Sequence, residues 1–182
     1  MNSQDDALQF KPLAETLWRG AFCCGISEID SWFTKRAWDQ HSKFRSRVTT
    51  VHNAADELVG FYAFCITLKD DRMLEKTNNL RNRAINRHFP TLEIDYIAVD
   101  RPFQGQGIGT VITGRIVDIF IQAADQLGVP VMTLEAINER AAKLYRRMGF
   151  EHYGPHPSLR MMLPAQAALA LSRENQTENN AC

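Results

Sequence analysis

Three glycines stand at alternate positions in the segment QGQGIGT, at residues 105, 107 and 109. Glycine adopts dihedral angles that are closed to other residues, and it lets the backbone approach a ligand closely. A glycine-rich turn that opens a helix presents unpaired N–H groups and the positive end of the helix dipole, and both attract anions. The segment therefore predicts a phosphate or pyrophosphate site at residues 104–110. A turn without a ligand is the plainer alternative, and the entropic cost of three glycines argues against it.

The glycine pattern differs from two common nucleotide-binding motifs. A P-loop needs a lysine followed by Ser or Thr, and this segment has no lysine. The dinucleotide fingerprint needs a third glycine where Thr110 stands. It also needs an acidic residue at the end of a second strand, whereas Asp125 falls inside the predicted helix. The phosphate site is therefore of a different kind.

The glycines lie between a predicted strand and a predicted helix. Residues 92–99 carry a β-branched and aromatic run of strand length, which Pro102 follows closely. Apolar residues then recur at helical spacing up to Leu127, before Gly128 and Pro130. They are Ile108, Val111, Ile112, Ile116, Ile119, Phe120, Ala123 and Leu127. The pattern predicts a strand, a tight turn and a long helix.

Similar patterns predict the other elements of a mixed α/β fold. Ser27 and Asp30 indicate a capping box that opens a helix, and Asn138 opens a later one. The elements are a first strand within 10–18, a helix at 27–40, a hairpin of strands 44–52 and 58–68, a strand at 129–136, a helix from 138, strands at 150–153 and 159–163, and a small helix at 164–171. We expect residues 1–171 to form a single domain and residues 172–182 a disordered tail.

Composition limits the class of protein. The 182 residues carry 21 basic and 21 acidic side chains, so the chain has no global basic footprint for nucleic acid. No apolar run approaches the roughly 18 residues of a membrane span, and the polar N-terminus lacks a signal-peptide core. The cysteines and histidines show no metal-binding spacing. We expect a cytoplasmic protein without a metal.

A charged segment at residues 69–91 interrupts the strand pattern and is too long for an ordinary hairpin turn. Its cations outnumber its carboxylates; among them are Arg81, Arg83 and Arg87. Two interpretations stay open: a substrate loop or lid with a positive face, and a solvated insertion.

The segment Gln104-Gly105-Gln106-Gly107-Ile108-Gly109 matches the Q/R-x-x-G-x-G/A signature of the GNAT superfamily of acyl-CoA-dependent N-acetyltransferases. The later pattern Asn138-x-x-Ala141-x-x-Leu144-Tyr145-x-x-x-Gly149-Phe150 resembles the second hallmark of that family. The resemblance covers roughly residues 20–165. It implies a GNAT-like mixed central sheet, mostly antiparallel, splayed at its central strands and flanked by helices.

The resemblance also implies acetyl-CoA as co-substrate and specific roles for residues. The central strand would pair with the pantetheine arm, Asn138 would hold that arm or cap its helix, and Tyr145 would protonate the CoA thiolate as general acid. The implied cofactor contacts are Ile97, Ala98, Val99, Gln104, Gly105, Gln106, Gly107, Ile108, Gly109, Thr110, Asn138 and Tyr145.

Glu93 is the candidate general base. An amine must lose a proton before it attacks a thioester, and a carboxylate with a raised pKa removes that proton well. Glu93 and Asp95 share one face of the predicted strand, so their mutual repulsion would raise the pKa of one of them. The plainer alternative is that both face solvent at the start of the strand.

The N-terminal segment Phe22-Cys23-Cys24-Gly25-x-x-x-Ile29-Asp30-x-Trp32-Phe33 resembles the opening of the GNAT toxins of bacterial toxin–antitoxin pairs. Gly60-Phe61-Tyr62 is similar to one of their strands. Members of that group acetylate the amino group of aminoacyl-tRNA, which implies an aminoacyl-tRNA acceptor and an antitoxin partner; a homodimer is a further expectation.

Two other functions stay open. Glu93-Ile94-Asp95-Tyr96 is similar to the strand of GNAT lysine acetyltransferases, so a protein, a peptide or a small amine is an alternative acceptor. A catalytically weak acyl-CoA-binding module that acts through a protein partner is the alternative from a different class.

Overall fold

The computed structural model describes residues 8–17, 19–70, 88–155 and 157–179 of the chain. The fold divides into two compact units. The first contains residues 1–65 and 94–115, and the second contains residues 66–93 and 116–182.

Four strands build the sheet of the first unit in the order β1-β2-β3-β4. They are β1 (Gln9–Pro12), β2 (Arg47–His52), and parts of β3 (Leu58–Asp70) and β4 (His88–Val99). The pairs β1/β2 and β2/β3 are antiparallel. Asn53 closes the turn between β2 and β3, because its side-chain oxygen accepts the N–H groups of Ala55 and Glu57 at 3.0 and 2.9 Å. The predicted hairpin is therefore confirmed.

The helix predicted at 27–40 is divided into α1 (Ser27–Lys35) and α2 (Ala37–Ser42). Arg36 separates them with φ −122° and ψ −24°. The predicted capping box is wrong, since Ile26 is the N-cap and no side chain caps the helix. Asp30 reaches further back, and its carboxylate accepts the N–H of Cys24 at 2.7 Å.

Aromatic side chains form the core of the first unit. Phe22 contacts Phe33 and Phe61 edge to face, with ring centroids 4.9 and 5.2 Å apart, and Phe33 stacks on Phe61 at 4.0 Å. Trp32 packs on Tyr96 of β4 at 4.4 Å. Residues of the N-terminal motif therefore hold α1 against the sheet, an arrangement that offset and edge-to-face ring contacts stabilise beyond their buried area.

The second unit contains the order β3-β4-β5-β7-β6. Its own strands are β5 (Val131–Glu135), β6 (Glu151–His152) and β7 (Arg160–Pro164). The pairs β5/β7 and β6/β7 are antiparallel. A helix connects β4 to β5, which is its neighbour in the sheet order. With seven strands in one order, the predicted mixed and mostly antiparallel sheet is confirmed.

A short 3₁₀ turn (Arg101–Phe103) leads to the remaining helices α3 (Ile108–Leu127), α4 (Glu139–Arg147) and α5 (Ala165–Asn179). Helix α3 confirms the predicted bounds, and Ile112, Ile116 and Phe120 are fully buried on one face. Leu127, predicted on that face, is 76% exposed at the helix end. Helix α5 continues past residue 171, where the sequence predicts its end.

Most of the charged segment predicted at 69–91, with Arg81, Arg83 and Arg87, lies outside the described residues. Its two ends belong to strands, since β3 ends at Asp70 and β4 begins at His88. None of the helices in the described ranges has the length and apolarity that crossing a membrane requires.

Candidate active site

The turn before α3 has the conformation that an anion site needs. Gly105 and Gly107 have φ of +78° and +83°, a region that strains other residues. Within the described part of the chain, the backbone N–H groups of residues 105–109 donate to no acceptor. The first three of these amides precede a 20-residue helix and the last two begin it, so the helix dipole adds to their attraction for a negative charge.

Side chains of this turn fix it to neighbouring segments of the first unit. The Gln104 amide donates to the backbone oxygens of Cys24 at 2.8 Å and Val99 at 2.9 Å. The Asp100 carboxylate accepts the N–H of Cys23 at 2.9 Å and of Arg101 at 3.0 Å. The Cys23–Gly25 part of the N-terminal motif therefore supports the glycine turn. Gln104 was predicted to contact a ligand, and in this structure its side-chain amide fixes the turn.

The end of β4 lies close to β3 because residue 60 is a glycine. A Cβ atom at Gly60 would stand 2.8 Å from the backbone oxygen of Ala98 and 3.2 Å from Cδ1 of Ile112. Ala98 is buried, whereas Ile97 and Val99 are half-buried. The Gly60-Phe61-Tyr62 motif thus has a packing reason within the first unit.

Tyr145 lies on α4 in the second unit, with its ring tilted against Phe150 at 5.6 Å. Burial raises the pKa of its hydroxyl to about 12, because the phenolate would lose hydration there. Among the described residues, no partner binds this hydroxyl. Asn138 caps α4, since its side-chain oxygen accepts the N–H of Ala141 at 2.9 Å.

The two acidic residues of β4 bind different partners. Glu93 forms an ion pair with Lys69 at 2.6 Å, and the two side chains are 29% and 21% exposed. Asp95 accepts the hydroxyl of Ser46 at 2.6 Å and the thiol of Cys65 at 3.5 Å. Glu93 is therefore paired with the Lys69 ammonium group. The sequence had indicated only a repulsion between the Glu93 and Asp95 carboxylates.

A cavity of about 450 Å³ opens beside Glu93 in the second unit. Most of its lining is ionisable, and Tyr153 forms part of its wall with a hydroxyl pKa that burial raises. The lining residues are Leu68, Lys69, Asp70, His88, Glu93, Leu134, Glu135, Tyr153 and Arg160. Lys69 belongs to the charged segment that the sequence indicated as a possible substrate loop, whereas Tyr153 and Arg160 were not indicated, because only the fold brings them close to β3.

The predicted site residues divide between the two units. Residues 97–99 and 104–110 lie in the first unit, and Glu93, Asn138 and Tyr145 lie in the second. Within the described ranges, no group of three or more His, Cys, Asp or Glu side chains could hold a metal ion. The predicted residues of the first unit present backbone amides, and those of the second unit include a carboxylate paired with Lys69 and a buried phenol.

Comparisons with known proteins point to one family. Residues 12–150 match the model of the acetyltransferase (GNAT) family. The chain is 28% identical over 151 residues to the tRNA-acetylating toxin of Mycobacterium tuberculosis (strain ATCC 25618 / H37Rv), covering 83% of this chain and 88% of the relative. It is 30% identical over 159 residues to the probable toxin TacT of Sinorhizobium fredii (strain NBRC 101917 / NGR234), covering 80% and 84%.

The fold also matches a solved toxin structure. AtaT complexed with acetyl-methionyl-tRNAfMet superposes with a TM-score of 0.79 at 20% identity, over 90% of this chain and 98% of that chain. At this identity the likeness concerns the fold.

Proposed function

This chain belongs to the acetyltransferase (GNAT) family, and we propose that it transfers an acetyl group from acetyl-CoA to the amino group of an aminoacyl-tRNA. The observation that carries the donor half of this proposal is the row of five amides at residues 105–109, at the start of helix α3, which donate to no acceptor in the described part of the chain. Similarity to a tRNA-acetylating toxin over 83% of the chain supports the acceptor half.

The glycine turn would hold the pyrophosphate of acetyl-CoA. The open space around Gly105 and Gly107, where an added Cβ would meet nothing within 4 Å, leaves room for phosphate oxygens at the backbone. Residues 97–99 would pair with the pantetheine arm as an added strand does. The Asn138 side-chain oxygen is occupied by its cap, so only its NH₂ group is available to the arm.

Acetyl-CoA supplies an activated acetyl group as a thioester, and the chain supplies two proton-transfer groups. The amine nitrogen forms a bond to the acetyl carbon while the bond from that carbon to sulfur breaks. Glu93 would take the proton that the amine loses, and Tyr145 would give its proton to the departing sulfur. An N–H group of residues 97–99 would donate to the carbonyl oxygen as negative charge develops on it.

The two candidate acceptors differ in how much they need a base. An α-amino group has a pKa of about 7.7–8.0, so a substantial fraction is already neutral near pH 7.5, whereas a lysine side chain with a pKa of about 10.4 is almost fully charged. An α-amino acceptor therefore needs less help from Glu93 than a lysine acceptor does.

The same relatives support the proposed setting of the reaction. Both curated relatives are toxins by name, so we propose an antitoxin protein as a partner and the cytoplasm, where charged tRNA occurs, as the location. A homodimer also stays a proposal.

The direct test measures CoA release from acetyl-CoA with four acceptors in parallel: charged tRNA, uncharged tRNA, lysine peptides and polyamines. The proposal predicts turnover with charged tRNA only. Turnover restricted to peptides or polyamines would instead support the lysine-acetyltransferase alternative. Acetyl-CoA binding without turnover on any acceptor would support the binding-module alternative.

A further inference from the structure

The outer face of α4 carries three cations without partners. Arg140, Lys143 and Arg147 are exposed, and none forms an ion pair or hydrogen bond with another described residue. Arg146 on the same helix differs, since it binds the Glu139 carboxylate at 3.2 Å. We call Arg140, Lys143 and Arg147 the α4 stripe.

The three residues are spaced so that they lie on one side of the helix. Positions i, i+3 and i+7 share a face, so the side chains follow one another along the axis. Seven residues span about 10 Å at 1.5 Å per residue. Each strand of double-stranded DNA carries one phosphate per roughly 3.4 Å of helix axis, so a stripe of this length can reach more than one phosphate of a nucleic acid backbone. A single phosphate group would engage only part of it.

Helix stability does not explain the position of Arg140, although it favours a cation at Arg147 in the last turn. Arg140 is the second residue of α4, where the positive end of the helix dipole disfavours a cation. The helix contains four cations and one carboxylate, a net charge of +3, although the whole chain has a net charge of zero. Positive charge is thus concentrated on the helix that also carries Tyr145.

The stripe lacks the features of a protein interface. Protein interfaces have cores enriched in aromatic residues and depleted of charge. Every apolar residue of α4 is buried or half-buried, so its exposed face consists of charged side chains alone. A charged face without apolar anchors suits a phosphate backbone, which is bound by Arg and Lys without base contacts.

We propose that the α4 stripe binds the phosphate backbone of the acceptor tRNA and so brings the aminoacylated end of the tRNA toward Tyr145. The inference rests on the proposed function, because it concerns how the acceptor of that reaction is held. The proposed RNA-binding surface lies on α4 and not in the charged segment at 69–91.

The test compares the triple variant Arg140→Gln, Lys143→Gln, Arg147→Gln with wild type on two acceptors. Gln keeps helix propensity close to that of Arg and Lys. With aminoacyl-tRNA we expect kcat/KM to fall roughly 10- to 100-fold at physiological salt. We also expect the magnitude of the negative slope of log(kcat/KM) against log[salt] to decrease by about 2–3. With aminoacyl-adenosine, which has no phosphate backbone, kcat/KM and the KM for acetyl-CoA should not change.

Arg146→Gln is the matched control, since it removes one positive charge from the same helix but from a paired side chain. We expect it to change the salt slope little. The double variant Arg140→Lys, Arg147→Lys keeps the charge and should retain most of the activity on tRNA.

Two results would overturn the inference. An unchanged rate and salt slope with aminoacyl-tRNA would show that the stripe does not bind RNA and serves a partner of other chemistry. Equal losses on both acceptors would show that the stripe acts on the fold or on acetyl-CoA. Binding of uncharged tRNA to both proteins tests the stripe without turnover, so a wild type that binds through the stripe but transfers no acetyl group would contradict the proposed function alone.

Discussion

At the scale of single residues, Tyr145 and Glu93 differ in how the fold prepares them. The Tyr145 hydroxyl has no partner among the described residues, and burial raises its pKa to about 12. It therefore keeps its proton well above neutral pH, as a general acid must. Glu93 is held by Lys69 at 2.6 Å. The phenol is thus buried and protonated, whereas the carboxylate is bound to an ammonium group.

Replacing Tyr145 with Phe should lower kcat by about 10²-fold, the low end for general acid catalysis. The low end is expected because the pKa of a thiol is about 8.5, well below the pKa of about 12 of the Tyr145 hydroxyl. Full proton transfer from the phenol to the thiolate is therefore unfavourable, and the phenol stabilises the departing sulfur mainly by a hydrogen bond. Steady-state kinetics and acetyl-CoA binding by calorimetry check this; binding should not change. In the wild type, kcat should not decline between pH 7.5 and 9.5, because Tyr145 stays protonated there.

Tyr62→Phe is the matched control, since it removes the same atom from another buried tyrosine, whose hydroxyl pKa burial also raises. It should leave kcat unchanged. If both variants lost kcat equally, the proton-donor role of Tyr145 would be refuted.

Glu93→Gln should lower kcat/KM with aminoacyl-tRNA by roughly 10²-fold at pH 7. The loss should shrink above pH 8, where an α-amino group of pKa about 7.7–8.0 is mostly neutral without help. Measuring kcat/KM of both proteins as a function of pH gives the ratio of wild type to variant at each pH. A ratio that does not vary with pH would mean that Glu93 positions the acceptor and is not its base.

At the scale of secondary-structure elements, the glycine turn is the clearest link between sequence and site. Its bounds could be predicted because an apolar strand, the glycines and a run of apolar residues at helical spacing follow one another directly in the sequence. The partners of Gln104 could not be predicted, since Cys24 lies 80 residues away in sequence. The capping box failed for a different, local reason: Ser27 and Asp30 have the right spacing, but Asp30 binds the N–H of Cys24 before the helix.

Gly107→Ala should weaken acetyl-CoA binding at least tenfold and destabilise the fold by about 1–2 kcal/mol, because φ is +83° there. The added methyl group would meet no protein atom within 4 Å and would point into space that a ligand could use. Calorimetry and thermal unfolding measure the two effects.

Gly114→Ala, in the helix that follows the turn, is the matched control. It too meets nothing within 4 Å, but its φ is not positive, so we expect stabilisation of about 0.5–1 kcal/mol and unchanged binding. Equal affinity for acetyl-CoA in both variants would contradict a phosphate site at the turn.

At the scale of the whole molecule, family motifs identified the fold more completely than they identified contacts. The N-terminal motif could be recognised as a resemblance, but its role became visible only in the structure, where Phe22 and Phe33 pack on Phe61 and Cys24 supports Gln104. The Lys69–Glu93 pair joins strands 24 residues apart in sequence. Charge complementarity at that distance leaves no periodic signal in a single sequence.

The buried His41 should make folding stability sensitive to mild acid. Burial and the nearby Arg47 lower its pKa, and its Nδ1 accepts the N–H of Val48 at 3.1 Å. A lowered native pKa means that stability is complete above the unfolded value of about 6.5 and is lost as pH falls below it. Urea unfolding of wild type and His41→Gln at pH 7.5 and 5.5 checks this; an equal loss in both proteins would show that other groups are responsible.

The most direct test of the account starts with charged tRNA that is incubated with the protein and acetyl-CoA. The tRNA is then digested with ribonuclease, and the released aminoacyl-adenosine is analysed by mass spectrometry. The account predicts an acetyl group on the α-amino nitrogen of the released aminoacyl-adenosine, formed by wild type and about 10²-fold more slowly by Tyr145→Phe. Unmodified aminoacyl-adenosine from a protein that acetylates lysine peptides under the same conditions would contradict it.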